Sequence, residues 1–478
     1  MHTNKMTKYV IASCIALMLA ACTVPSVVQK VESKKTPDIY RNASTDSTNS
    51  ATIKWKQFFS DPYLTALIDT ALRNNQELNI ILQDIKIAQN EVRARKAAYL
   101  PFVNIGGGAG FDKSGRYTRQ GAVDDGVNIE PGKKIPDVLP DYLLAANVTW
   151  EVDIWKKLRN ARKSAIYSYL GTTAGKNFMV THLIAEIANS FYELMALDNQ
   201  LFIIRQNIEI QQNALEIVKL QKTAAKVTEL AVRRFEAEVL KNQSRIPHIQ
   251  QSIVEAENRI NFLVGRFPQP VQRNSWTFID LVTDSIHAGV PSQLLRNRPD
   301  IIQAELDLAA AKLDVKVART YFYPTFNITG AIGFEAFNPT YLVSKPESMM
   351  YNLGGGLFGP LINRNAIKAT YYSANARQIQ AAFNYERSVL NAYIEVANQL
   401  ANIGNLKRSY ELRSKQVETL TMSIDISTRL FKSARADYME VLLTQRDALE
   451  SKFELIETKK QQMNAMVNIY QALGGGWN

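Results

Sequence analysis

Cysteine is almost missing: Cys14 and Cys22 are the two in 478 residues, and Cys14 lies in an N-terminal apolar run expected to be removed. A mature chain with one thiol forms no internal disulfide and no cysteine metal site. Histidine is nearly as sparse, with His2, His182, His248 and His287 scattered. HExxH and GxSxG do not occur, so zinc-protease and serine-hydrolase chemistry lack their residues. Gly354-x-Gly356-x-x-Gly359 has the spacing of a dinucleotide fingerprint, but it sits in an alternating strand and runs into Pro360. The strand-to-helix turn that phosphates require is absent there. Gly171-x-x-x-Gly175-Lys176-Asn177 is one residue short of a phosphate loop and lacks its Ser/Thr. The expectation is a protein that is not an enzyme, with no catalytic residue, no cofactor and no metal. The formal charge of +11 comes from dispersed basic residues without an arginine-rich tract, which argues against nucleic acid as a partner.

Chain breakers are also missing over long stretches. No Gly or Pro occurs between Gly175 and Pro247, and Gly404 is the sole one between Pro360 and Gly474. Such stretches predict long helices. Beyond the N-terminal run there is no sequence of 18 apolar residues, so helical membrane spans are excluded and any lipid-embedded part must be β-barrel.

Lys5 and Lys8 precede an apolar run from Tyr9 to Ala21 that is too short to span, and it ends in Leu19-Ala20-Ala21-Cys22. This is the pattern of a bacterial lipobox: residues 1–21 would leave as a signal peptide and Cys22 would become the lipidated first residue. An ordinary signal peptide with a chance cysteine is the plainer alternative. Thr23 stands where the usual inner-membrane retention signal has Asp, and export implies an envelope protein. Residues 22–60 begin as a polar, Ser/Thr/Asn-rich tether.

The positive features begin with a repeat. VRARKAAYLPFVNIGGGAGF (92–111) returns as VKVARTYFYPTFNITGAIGF (315–334), so Pro101 recurs as Pro324, 223 positions on. At the same displacement Arg73-Asn74 meets Arg296-Asn297, and Glu77 meets Asp300. A fixed internal period means a duplicated unit. The halves are 61–265 and 294–478, joined by a proline-bearing connector at 266–293.

Each half passes from helix through a proline into alternating strand. A helix pair is predicted from Asp61-Pro62 to Ala98. In 101–155, Val103, Ile105, Ala109 and Phe111 alternate with Asn104, Gly106, Gly108 and Gly110, and Val148, Trp150 and Val152 with Asn147, Thr149 and Glu151. In 324–359, Phe326, Ile328 and Ile332 alternate with Asn327, Thr329 and Gly333, and Tyr351, Leu353 and Leu357 with Asn352, Gly354 and Gly356. Period two gives each strand one apolar and one polar or glycine face. A soluble sandwich shows the same pattern, but an exported chain with very long helices favours a lipid-facing barrel. Four strands cannot close a membrane barrel, whose smallest form has about eight, so several chains must combine. Two or three copies both satisfy the pattern. Segments 113–139 and 335–348 are expected to be exposed loops.

After each strand pair comes helix. Ile187, Leu194, Leu201, Ile208 and Leu215 recur every seventh residue, and Leu197, Ile204 and Val218 form a second seam that Gln211 interrupts. A seven-residue repeat underwinds helices into a left-handed pairing. The segments 223–231 and 433–441 should turn two helical hairpins, with Pro247 kinking the first return helix. In Arg298-Pro299-Asp300, Pro299 suits a first helical position and Asp300 the positive helix start, so the triplet is taken as structural.

WKQFFSDPYLTALIDTALRNNQEL (55–78), LLRNRPDIIQAELDLAAAKLDVKVA (294–318) with YFYPTF, FGPLINRNAIKA (358–369) and ALGGGW (472–477) together resemble the outer membrane factor family, the TolC-like exit ducts of tripartite efflux pumps, in its lipoprotein branch. The resemblance spans nearly all of the mature chain. It implies a mainly α protein with membrane β: a homotrimeric tube in which four strands per chain build a shared 12-stranded barrel in the outer membrane. A long α-helical barrel would project into the periplasm, with an equatorial region formed partly by 22–60 and the C-terminal tail. Implied partners are a periplasmic adaptor, an inner-membrane resistance-nodulation-division pump and outer-membrane lipid. The implied function is a passive exit duct for drugs and other toxic small molecules; a TolC-like duct for protein secretion, or a copper/silver duct, are the alternatives. The inter-helical turns, at Ala224, Ala225 and Lys226 and at Ala434 and Arg435, would meet the adaptor. The family often narrows its entrance with an acidic ring in a Leu-Asp-Ala-Gln/Glu-Arg stretch, but here Leu442-Leu443-Thr444-Gln445-Arg446 lacks the aspartate. Asp437, Met439 and Glu440, with Leu443 and with Arg446 as pairing partner, are the substitutes expected to gate it.

Overall fold

The computed structural model describes residues 24–40, 47–281, 287–360, 362, 364–433 and 435–477. The signal segment 1–21, Cys22 and Ala434 lie outside the described residues.

Helix α1 (Pro62–Asn74) starts where expected because Asp61 accepts hydrogen bonds from the Tyr63 and Leu64 amides and Pro62 holds the first turn. Leu64, Leu67, Ile68 and Ala71 recur at helical spacing and are buried. After Asn75 comes α2 (Gln76–Ala97), then Pro101 and strand β1 (Phe102–Asp112). The stretch expected to be plain loop holds a helix α3 (Arg119–Gly126), whose first turn is capped by the Thr118 side chain, and a small hairpin of β2 (Asn128–Glu130) and β3 (Lys133–Lys134). Strand β4 (Leu139–Val152) then begins well before the alternation noticed in the sequence. Helices α4 (Lys157–Thr223) and α5 (Glu229–Val264) follow, with Pro247 inside α5.

The second half repeats this order. A short α6 (Leu294–Asn297) and α7 (Pro299–Thr320) precede β5 (Thr325–Ala336) and β6 (Met349–Phe358). Helices α8 (Arg364–Lys432) and α9 (Tyr438–Ala472) complete it. The repeat extends to a backbone detail. After α5, Gly265 takes φ +77° against the Asn74 carbonyl, and after α9, Gly474 takes φ +91° against the Asn297 carbonyl. Asn74 and Asn297 are the pair already matched by the sequence displacement.

Compactness divides the chain across the repeat into two units. Among the described residues, one comprises 24–31, Ile87–Tyr169 and Leu306–Ala382, and the other those of 32–86, 170–305 and 383–477. The first holds the antiparallel sheet, in the order β1-β4-β5-β6. A small core of Val315, Ala318, Phe322, Tyr371 and Ala374 lies in the same unit. Residues 24–31, which form neither helix nor strand, are held against it: Asn375 donates to the Val28 carbonyl at 3.1 Å, and the buried Gln378 carboxamide accepts from the Lys30 amide and donates to its carbonyl at 2.7 Å.

The second unit holds the larger core, where Leu64 and Ile68 of α1 join Ile184, Ile187, Phe191 and Leu194 of α4, Ile260 of α5 and Val467 of α9. Of the seven-residue seam, Ile187, Leu194, Ile208 and Leu215 are buried, and Leu201 is partly buried against the same helices. The C-terminal glycine run docks here, with the Trp477 indole donating to the Asn297 carbonyl at 3.2 Å.

Candidate functional site

The register of the sheet sorts its two faces. Ile105 pairs with Ala146, Ala146 with Ile332 and Ile332 with Tyr351; two residues along, Val103, Val148, Gly330 and Leu353 form the next row. One face is therefore apolar from edge to edge. The other carries Asn104, Asn147, Ala331 and Asn352 in one row and Glu151, Asn327 and Gly356 in another. A one-residue slip would mix the faces, so the pattern fixes the register. The apolar face is uncovered in the single chain, with Ile105 79% and Leu353 82% exposed. The strands contain 11, 14, 12 and 10 residues, and a tilted membrane strand needs about 9–11. Among the described residues β1 and β6 each pair on one side only.

The second feature is the pair of hairpin tips. Helix α4 ends at Thr223 and α5 starts at Glu229. The turn is closed by Lys226, whose amide donates to the Gln221 carbonyl at 2.8 Å, while Ala225 takes the left-handed φ of +56° usually given to glycine. Lys222 bonds Glu229 across the turn, and Arg233 holds the same carboxylate at 2.8 Å. The bonded Lys222 ammonium keeps the Glu229 carboxyl below its ordinary range. In the other turn Arg435 donates its amide to the Leu430 carbonyl at 2.9 Å. The two tips share one apolar cluster that includes Leu215, Val218, Val232, Phe235, Leu442, Tyr438 and Met439. Arg234 of the first hairpin also reaches the Met439 sulfur at 3.4 Å.

Asp437 is the residue on which α9 begins, and Glu440 lies in its first turn, where acids favour the positive helix end. Both are exposed, as is Leu443. Arg446 lies further along α9 and bonds Asp447, the next residue, at 3.1 Å. Among the described residues no ion pair joins it to Asp437.

Arg298 does more than mark a helix start. Its guanidinium is buried, grips Asp300 with two bonds of 3.0 and 2.7 Å, reaches Glu395 of α8 at 2.5 Å and donates to the Ala472 carbonyl at the end of α9 at 3.0 Å. Pro299 and Asp300 open α7 as expected. The sequence motif showed the helix start alone; the grip on Asp300 was not read from it, and the long-range partners, 97 and 174 residues away, carried no local signal. The first half places Asn75 at the matching position, capping α2 through the Leu78 amide and donating to the Leu263 carbonyl at 2.9 Å.

A long-stranded sheet with one apolar face and two open edges, in a chain that also carries two long helical hairpins, is the architecture of a channel-forming outer-membrane protein. The chain belongs to the outer membrane efflux protein family, which matches residues 67–266 and 290–475. It is 27% identical over 463 residues to the pyoverdine export outer membrane protein OpmQ of Pseudomonas aeruginosa, covering 96% of this chain and 95% of that one. It is 25% identical over 468 residues to the cation efflux system protein CusC of Escherichia coli, covering 97% and 98%. Its fold matches the open-state crystal structure of the Neisseria gonorrhoeae MtrE outer membrane channel, with a TM-score of 0.82 at 21% identity over 95% of this chain and 98% of that one. The protein is thus an outer-membrane efflux channel component of the tripartite class, a passive conduit reaching into the periplasm.

Proposed function

We propose that three copies of this chain close one 12-stranded barrel and form the exit duct of a pump for small toxic molecules, fed by a periplasmic adaptor and an inner-membrane resistance-nodulation-division pump. The observation that carries this reading is the sheet register, which gives an apolar face for lipid, a polar and glycine face for a water-filled lumen, and edges at β1 and β6 that copies can pair. Cys22 is the lipid attachment point, which places the docked segment 24–31 directly after the anchor. The turns at Ala224–Lys226 and Ala434–Arg435 meet the adaptor.

The tips form the entrance. Asp437, Met439, Glu440 and Leu443 narrow it, with Arg446 bridging to an acid of a neighbouring copy. Adaptor binding favours the separated arrangement and shifts the population toward open. Planar-bilayer recording tests this: Asp437→Ala and Arg446→Ala should each raise the leak conductance. Conductance equal to wild type in both would reject the gate assignment.

A further inference from the structure

One layer between the hairpin helices is built of carboxamides from three helices. Asn242 of α5 donates its side-chain amide to the Gln211 side-chain oxygen of α4 at 2.8 Å, and both residues are 0% exposed. Gln445 of α9 is buried as well. Gln211 Nε2, Asn242 Oδ1 and Gln445 Oε1 have no hydrogen-bond partner among the described residues. The flanking layers fix the register. Toward the tips, Leu442 joins Leu215 and Val239 in one apolar cluster; away from them, Leu449 joins Ile208 and Ile249 in another. Gln211, Asn242 and Gln445 therefore occupy core positions of three helices at one level. This is the interruption that the second heptad seam showed at Gln211.

A buried carboxamide left short of partners loses its hydration without a replacement, whereas an apolar residue there would pack without that loss. A layer carrying such unpartnered groups gains less from close packing than its apolar neighbours, so the helices part there at least cost. Polar residues at such core positions lower stability and select among alternative helix pairings.

We propose that Gln211, Asn242 and Gln445 form the hinge layer at which α9 separates from the first hairpin when the entrance opens. They are positioning residues that set the closed-to-open equilibrium through the helices they join. The proposal rests on the reading that the tips form a gate. Replacing the layer by apolar side chains of similar size removes the penalty of the packed state, so the closed arrangement gains and opening becomes rarer.

The test is planar-bilayer recording of the full-length channel carrying Gln211→Met, Asn242→Leu and Gln445→Met, alongside the Asp437→Ala tip variant. A rise in melting temperature with at least a tenfold fall in opening frequency supports the hinge. Unchanged opening frequency overturns it, whatever happens to the melting temperature. Gln445→Met alone decides in the same way if the triple variant does not assemble. Gln445→Glu gives a readout that a packing role would not move: opening should increase with pH as the buried carboxylate ionises and demands water, and a flat profile counts against the hinge. If the tip variant leaks while the layer variants behave as wild type, only the hinge fails. If the layer variants and both tip variants, Asp437→Ala and Arg446→Ala, all conduct as wild type, the gate reading falls and the hinge with it.

Discussion

The backbone of Gly474 lies so close to Asn297 that a Cβ added to it would stand 2.4 Å from the Asn297 carbonyl oxygen. Gly265 has the same relation to Asn74, at 2.5 Å, and both glycines have left-handed φ. Gly474→Ala and Gly265→Ala should each cost about 1–3 kcal/mol from backbone strain alone. The result expected is a lower melting temperature of the detergent-extracted protein. Gly404 is the contrast, since it sits inside α8 with nothing within 4 Å of an added Cβ. Gly404→Ala should stabilise by up to roughly 1 kcal/mol. The same direction of change at all three would contradict the account.

Arg298 ties the start of α7 to α8 and to the end of α9. Arg298→Met would leave Asp300 and Glu395 without their cation. Breaking a buried pair costs about 3–5 kcal/mol, and the half-exposed Glu395 carboxylate reduces that to about 2–4 kcal/mol. Arg298→Lys keeps the charge but loses the two-pronged grip on Asp300 and should fall between. Melting temperatures in the order wild type, Lys, Met are the outcome expected.

Lys459 supplies a pH dependence. It is buried, donates to the Leu281 carbonyl, and lies over the Tyr410 ring with its nitrogen 5.1 Å from the centroid. Burial lowers its pKa from the ordinary 10.5, with Asp280 opposing. A lysine with a depressed folded-state pKa binds fewer protons folded than unfolded, so stability rises with pH between that depressed value and 10.5. Wild type should gain stability relative to Lys459→Met as pH climbs from neutral toward 10, measured by thermal unfolding at each pH. A constant difference would refute this.

Gln378 holds the segment 24–31 through both backbone groups of Lys30. Gln378→Leu removes both bonds and should free the segment without unfolding the unit. Limited trypsin digestion should then cut after Lys30 several-fold faster than in wild type, with the rest of the chain equally resistant.

Much of this architecture could be read in advance. The alternation from Val103 to Phe111 and from Phe326 to Phe334 marked β1 and β5, because a two-residue period is a local property. Asp61-Pro62 and Pro299-Asp300 marked helix starts for the same reason. The early start of β4 at Leu139 was not legible, since its first residues, Leu139-Pro140-Asp141, look like loop and become strand through pairing with Phe111 and Asp112. Nor were the Arg298 bonds to Glu395 and Ala472, or the docking of residues 24–31 on Gln378, visible. These are partnerships between residues far apart in sequence. Gln211 lay between: its break in the heptad was plain, but its meeting with Asn242 needed the helices side by side.

The central claim is that one chain supplies a third of a barrel wall. The direct measurement is the native mass of the detergent-extracted protein together with its current in a planar bilayer. A particle of three chains that conducts ions is the result expected. Single chains that leave the bilayer sealed would contradict it.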